Sequence, residues 1–372
     1  MKRLFVSLAT LVLSAWYGFA YHVFGPKKRI VCLSRQSNTV PVDFTLIDSY
    51  VRAHYPGFDV VVLAKTLDSP ISYIPHMFRQ VCEIATSSAV ILDSYCIVVS
   101  LLNETIKAPV VQMWHAMGNM KRFGYAALDE PEGRTSDVAR LMHMHEGYDS
   151  VVISSMAFID DYVAGFNVSP EIVFECPLPK TDLLLSDEIR KTERGRILKS
   201  LPQLGDKINV VYCPTFRKPP TEADSLALER LADSVDFDKY NLIYKAHPVS
   251  TLRFSDERVI QDYDSSFDML YVADYVISDY STVIYEAGLL DLPVLLYTYD
   301  WDEYRKRRGL NIDFVKDVPA PSSGDPRELM SLIESEKVDE QAFRSFVDRY
   351  IRVPGQGTCT QRLVEHVMSL IS

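Results

Sequence analysis

The stretch VVQMWHAMGNMKRFGY ends an apolar run at Met113 and then presents His115, Gly118, Lys121 and Gly124. Histidine is the side chain best placed to accept a proton near neutral pH. The glycines allow close backbone approach, and Lys121 can meet an anion. A single histidine after a strand is commonly a packing residue. The combination with Gly118 and Lys121 is what makes His115 a candidate general base.

Cations cluster after two later apolar runs. VVYCPTFRK stops at Pro214-Thr215 and continues into Arg217 and Lys218, and LIYKAHPVS carries Lys245 and His247 ahead of Pro248. Arginine suits phosphate because its planar fork donates parallel bonds. Lys245 and His247, two apart in extended chain, project to one side, which suits a diphosphate. In DYVISDYSTVIYEAGLLDLPVLLYTYD, Asp279, Tyr280, Ser281 and Thr282 sit where a strand hands over to a helix. Hydroxyls there can cap the helix, and the same corner is a natural phosphate seat. Glu286 falls one helical turn beyond Thr282, placed to accept hydrogen bonds from ribose hydroxyls. Together these residues describe a nucleoside-diphosphate site. No G-x-G-x-x-G appears, which argues against dinucleotide binding. Asp300 and Asp302 have metal-like D-x-D spacing, but Arg305, Lys306, Arg307 and Arg308 follow them. An ion-paired surface loop is the expectation, with neither metal nor cofactor.

The elements that must position these groups alternate short apolar runs with amphipathic stretches, the pattern of βαβ units on parallel sheets. One strand series is expected at 29–33, 58–64, 88–92, 108–113, 149–154 and 171–175. A charged helix, SDEIRKTERGRILKSL, separates it from a second series at 208–213, 240–245, 258–261, 274–278 and 293–297. The tail reads as helices. The expected fold is α/β, with two doubly wound Rossmann-type domains facing across a cleft. An N-terminal membrane-associated helix precedes them and C-terminal helices close them. The expected boundaries are 1–28, 29–186 for the first domain, 187–350 for a second, nucleotide-binding domain and 351–372 for a helix packing back on the first domain. Ligands of such sheets bind beyond the strands' carboxyl ends, where every motif above falls. The mouth of the first domain, from Ser34 to Asn38 and around Arg134 to His145, is where an acceptor would be selected.

A chain of 372 residues, 47% hydrophobic and 24% charged, is an ordinary globular protein long enough for two domains. Its net charge of −11 argues against nucleic-acid binding. Six scattered cysteines form no C-x-x-C pair and read as free thiols of a reducing compartment. The N-terminus is apolar from Leu4 to Phe24, with Lys2 and Arg3 before it and Lys27, Lys28 and Arg29 after it. A signal peptide, a spanning helix and an interfacial helix each fit such a segment. The basic cluster behind it favours attachment to the cytoplasmic face of a membrane.

Taken in order, QMWHAMGNMKRFG, YCPTFR, KAHP, DYVISDYSTVIYE and PVLLYTYDWDEYRKRRG resemble the CDP-glycerol glycerophosphotransferase family of wall teichoic acid synthesis. The resemblance spans roughly residues 108 to 310. It implies a GT-B-like fold, a CDP-alcohol donor bound in the C-terminal domain and release of CMP. The family's polymerases generally read His-Gly where this chain has His115-Ala116. Together with the membrane-type N-terminus this looks more like the primase branch, which adds the first glycerol phosphate to a polyprenyl-diphosphate-linked N-acetylmannosaminyl-N-acetylglucosamine disaccharide.

By that resemblance His115 is the base on the acceptor hydroxyl, and His247 with Lys245 and Arg217 neutralises the diphosphate and the departing CMP. Asp279, Ser281, Thr282 and Glu286 complete the donor site, and Gly118, Lys121 and Asn38 are candidate acceptor or phosphate contacts. A CDP-ribitol or CDP-glycerol polymerase for teichoic acid or capsule, a nucleotide-sugar glycosyltransferase and a non-catalytic relative stay open beside this reading, and a homo-oligomer is compatible with it.

Overall fold

The structure is a computed structural model and describes residues 2–217, 219–247, 250–264, 266, 268–335 and 339–371. The chain forms two compact units. The first takes the residues up to Ala116, Arg122–Asp182 and those from Arg352 onward, and the second takes Met117–Lys121 and Leu183–Ile351.

In the first unit β1 (Arg29–Ser34), β2 (Asp59–Ala64), β3 (Ala89–Leu92), β4 (Val110–Gln112), β5 (Ser150–Ile153) and β6 (Val173–Glu175) form a 6-stranded sheet. Its order is β2-β1-β3-β4-β5-β6, and each neighbouring pair is parallel. In the second unit β7 (Ile208–Cys213), β8 (Tyr240–Tyr244), β9 (Tyr275–Ser278), β10 (Val294–Tyr297) and β11 (Ser322–Ser323) form a 5-stranded parallel sheet, ordered β11-β10-β9-β7-β8. The central strands are buried continuously rather than alternately, as parallel sheets covered on both faces must be. Ile30 to Leu33, Val90 to Leu92 and Val210 to Tyr212 carry almost no exposed surface. Both sheets reverse their winding direction beside their first strand. Each therefore has a switch point, between β1 and β3 in one unit and between β7 and β9 in the other.

Two strand expectations need correction. Residues 258–261 form no strand. Ile260 makes an isolated parallel bridge to Ile243, and the Gln261 amide turns back to the Phe254 backbone at 3.0 and 2.9 Å, which ends the run. The edge strand Ser322–Ser323 lies in the tail, where none was expected, because two serines carry no hydrophobic signal.

The helix Lys2–Phe24 is long and apolar enough to cross a membrane, yet its second half is tied to the first unit. Leu13, Tyr17 and Ala20 are buried. The Trp16 indole donates to the Phe78 carbonyl at 3.2 Å, and the Tyr17 hydroxyl accepts the Lys107 amide at 3.0 Å. Leu4, Phe5, Leu8 and Leu11 remain exposed. At the other terminus the helix Cys359–Leu370 also belongs to the first unit. The Asp182 carboxylate accepts its first amides, from Cys359 at 2.7 Å and Thr360 at 2.9 Å, which suits the positive end of a helix dipole.

Candidate active site

In the first unit the loops after β1, β3 and β4 converge at the switch point. The Arg35 amide and guanidinium bond to the Ser94 hydroxyl and the Tyr95 carbonyl at 3.1 and 2.8 Å, joining the first two loops. His115 follows β4, and its Nδ1 lies 2.9 Å from the Asp93 backbone carbonyl. A carbonyl oxygen only accepts, so Nδ1 carries the proton and Nε2 keeps the lone pair. The side-chain amide of Gln36 is 3.3 Å from the same nitrogen. With Nδ1–H already donated to Asp93, that amide can add only its oxygen, in the flipped orientation. Protein crowding around the ring lowers the His115 pKa to about 4, an effect partly offset by the Asp93 carbonyl. The residue still keeps solvent-accessible surface, which works against that drop. His115 is thus a neutral imidazole in the tautomer a general base needs.

The residue before it, Trp114, has φ +60°. This backbone region is unfavourable for a bulky side chain and is retained only when the surroundings over-determine it. The Trp114 amide donates to the Gln112 side-chain oxygen at 3.0 Å. Its ring stacks on Phe123 at 5.0 Å and meets Phe166 edge-on at 5.3 Å.

The other expected residues of this unit have structural partners. Asn38 Oδ1 accepts the Thr66 amide and hydroxyl at 3.0 and 3.1 Å, tying the loop after β1 to the end of β2. Arg134 lies over the Tyr95 ring at 5.3 Å. His145 is buried with its Nδ1 2.9 Å from the Tyr148 hydroxyl, and burial lowers its pKa to about 3.

In the second unit Arg217 plays a different part from the one expected. It is 5% exposed. Its Nε and Nη2 grip the Asp300 carboxylate at 2.9 and 3.0 Å, Nη2 also reaches Asp279 at 3.0 Å, and Nη1 donates to the Thr215 carbonyl at 2.9 Å. The Tyr304 and Tyr280 rings flank the guanidinium at 4.9 and 5.4 Å. Asp300 and Asp279 pair with this charge and Asp224 lies 3.8 Å away, so Arg217 is a structural cation and not a free phosphate ligand. Asp279 is likewise fully buried and accepts the Thr215 amide at 2.8 Å, stitching the end of β9 to the end of β7. It holds the corner together. Asp300 pairs with Arg217 instead of the following basic run, whose Arg305 and Lys306 pair with Asp302 and Glu303. Lys218 and Pro248 lie outside the described residues.

The groups left at this switch point are cationic and polar. Lys245 follows β8, with its Nζ 3.9 Å from Asp268. Burial opposes its charge, but attraction from Asp268 and Glu286 holds its pKa above the ordinary lysine value. His247 stacks against Phe216 at 5.3 Å. Desolvation first, then the positive charges of Lys121 and Lys245, push its pKa down. Lys121, Lys245 and His247 therefore share one electrostatic neighbourhood, and the Glu286 charge acts on Lys245 within it. Lys121 is held by a bridge to Leu310 and lies 5.6 Å from the Tyr304 ring centre. At the corner itself Ser281 Oγ accepts the Val283 amide at 3.3 Å, whereas the Thr282 side chain makes no cap bond. Gly118 is no open contact point. It has φ +62°, and a Cβ there would stand 2.4 Å from the Tyr285 ring.

Sequence reasoning missed Asp93, Gln112 and Asp268, and it covered Gln36 only within the mouth from Ser34 to Asn38. Asp93 and Gln112 had a positional signal, since Asp93 directly follows β3 at the switch point and Gln112 closes β4, the next strand of the sheet. Among the described residues no group of His, Cys, Asp and Glu is arranged to hold a metal ion.

The solved structure of the wall teichoic acid polymerase TagF is similar in fold, with a TM-score of 0.77 at 19% identity, over 99% of this chain and 97% of that one. The teichoic acid ribitol-phosphate primase of Bacillus spizizenii is 26% identical over 331 residues, 85% of each chain. The teichoic acid glycerol-phosphate primase of the same organism is 28% identical over 388 residues, covering 95% of this chain and 99% of its own. Residues 16–369 match the family model described as CDP-glycerol:poly(glycerophosphate) glycerophosphotransferase, and the chain therefore belongs to that family of transferases.

Proposed function

We propose that this chain is a primase that transfers glycerol phosphate from CDP-glycerol to a polyprenyl-diphosphate-linked N-acetylmannosaminyl-N-acetylglucosamine disaccharide, at the cytoplasmic face of the membrane. The observation that carries the reading is the electrostatic coupling of His247 to Lys121 and Lys245 and of Lys245 to Glu286, the last lying on the helix that follows β9 at the switch point. Such a cluster suits a diphosphate, with Ser281 and Thr282 seating phosphate and Glu286 accepting ribose hydroxyls. The acceptor hydroxyl attacks the β-phosphorus and gives its proton to His115 Nε2. The bond from that phosphorus to the bridging oxygen breaks, and CMP leaves with the electron pair. Charge builds on the phosphoryl oxygens and on CMP, so positioning and electrostatic stabilisation carry the rate. His247 and the two lysines supply that stabilisation.

Priming is supported by the glycerol-phosphate primase relative, matched over nearly its whole length. The ribitol-phosphate primase relative favours a second reading, in which CDP-ribitol is the donor. For the membrane, the exposed apolar half of the helix Lys2–Phe24 and its basic flanks support an interfacial helix.

The test is CMP release with CDP-glycerol or CDP-ribitol and a short-chain lipid-diphosphate disaccharide, with His115→Ala alongside. One phosphate added per acceptor from CDP-glycerol, and none with the variant, is the expected result. Many additions would make it a polymerase, preference for CDP-ribitol would change the alcohol, and no turnover with either donor would refute the reading.

A further inference from the structure

We infer that Gln112 is the positioning residue that holds His115 in its base-competent tautomer. The inference rests on the reading of His115 as the general base.

Gln112 is the last residue of β4 and is fully buried. Its amide has every polar group matched. Oε1 accepts the Trp114 backbone amide at 3.0 Å, and Nε2 donates to the Ser94 carbonyl at 3.2 Å and to the Tyr148 hydroxyl at 3.1 Å. These partners fix which end of the amide is oxygen, because a backbone N–H only donates and a backbone carbonyl only accepts. The Tyr148 hydroxyl, having accepted from Gln112, turns its own hydrogen to His145 Nδ1 at 2.9 Å. Burial keeps that imidazole neutral and therefore able to accept.

The consequence lies in where the two ends of the amide act. One end holds the amide of Trp114, the residue immediately before His115, in its left-handed conformation. The other end holds the carbonyl of Ser94, the residue immediately after Asp93, whose carbonyl receives the His115 Nδ1–H. A single side chain thus sets the donor and the acceptor of the bond that selects the tautomer. Strained backbone survives only where it is over-determined, and a fully satisfied buried amide is a rigid way to achieve that. Because Gln112 acts through Trp114 and Asp93, it needs no contact with substrate.

The test compares Gln112→Met and Gln112→Glu with the parent protein. Methionine keeps the volume and removes all three bonds. Glutamate still accepts from Trp114 but cannot donate to Ser94. Steady-state kinetics should show kcat reduced about 100-fold in Gln112→Met with KM for CDP-glycerol unchanged, since a small misplacement of a catalytic group costs about that much. Nitrogen NMR of His115 should show one tautomer in the parent and a mixture of both in the variant, a change that loss of stability alone does not produce. If Gln112→Met does not fold, Tyr148→Phe takes its place, with a several-fold drop in kcat and the same mixing of tautomers. Folded variants with parental kcat and a single His115 tautomer would overturn the inference. Should His115→Ala itself retain full turnover, the base assignment fails, whereas a dead His115→Ala beside a fully active Gln112→Met refutes the positioning role alone.

Discussion

The guanidinium of Arg217 meets the Asp300 carboxylate through paired bonds of 2.9 and 3.0 Å, and a second carboxylate, Asp279, shares the same cation at 3.0 Å. Removing one member of a buried ion group leaves its partners uncompensated, at a cost of about 3–5 kcal/mol. Arg217→Met should therefore lower the unfolding free energy obtained from urea titration by that amount, with a matching fall in the midpoint. Arg217→Lys should recover part of the loss, since an ammonium keeps the charge without the planar fork. An unchanged unfolding midpoint together with weakened donor binding would return Arg217 to the phosphate.

His115 makes a prediction about pH. Crowding pushes its folded pKa below the ordinary 6.5, toward about 4, while its exposed surface opposes the full drop. The neutral base therefore persists to below pH 6.5, so kcat should climb on the acid side of that value and stay level across neutral pH. The sign for stability follows. A depressed histidine pKa leaves the fold undisturbed above 6.5 and costs stability progressively as pH falls toward 4. An acid limb in the pH–rate profile near 6.5 would contradict this assignment.

Gly118 combines a left-handed backbone with contact against Tyr285, whose ring stacks on Phe346 at 5.7 Å. Gly118→Ala should destabilise by about 1 kcal/mol for the backbone plus about 1–3 kcal/mol for overpacking. The double variant Gly118→Ala, Tyr285→Leu isolates the second component, because the smaller side chain makes room. Thermal unfolding of all three variants measures it, and strictly additive losses would mean that the contact does not matter.

The exposed face of the N-terminal helix predicts a separable membrane defect. Leu8 and Leu11 lie on the side away from Leu13, Tyr17 and Ala20. Leu8→Glu with Leu11→Glu should leave the melting temperature within a degree or so, since exposed substitutions shift stability little, and should abolish flotation with anionic vesicles. Retained flotation would locate the membrane contact elsewhere on the protein.

Much of this architecture is legible from residue types. Most strands announce themselves as β-branched runs, and the motif residues fall at strand ends, as parallel sheets require. Partnerships across long stretches of chain are not legible. Nothing around Arg217 indicates that Asp279 and Asp300, over sixty and eighty residues on, consume its charge. A basic run directly after Asp300 even points to the wrong partners. Backbone conformation is hidden in the same way. Trp114 holds a left-handed geometry that its residue type disfavours, and the buried amide beneath it, with the Phe123 and Phe166 rings, explains why. Ile260 shows the reverse case, in which a strand-like run is ended by one side chain folding back on Phe254.

The assignment of Met117–Lys121 to the second unit has a practical consequence for building chimeras. These residues are bound there by the Lys121–Leu310 bridge, by the Asn311 amide on the Met120 carbonyl at 3.0 Å and by the fit of Gly118 against Tyr285. A graft that imports only residues 183–351 from a relative would leave this five-residue plug from the host in a foreign socket. Transplanting the second unit between family members therefore requires two discontinuous cassettes, moved together.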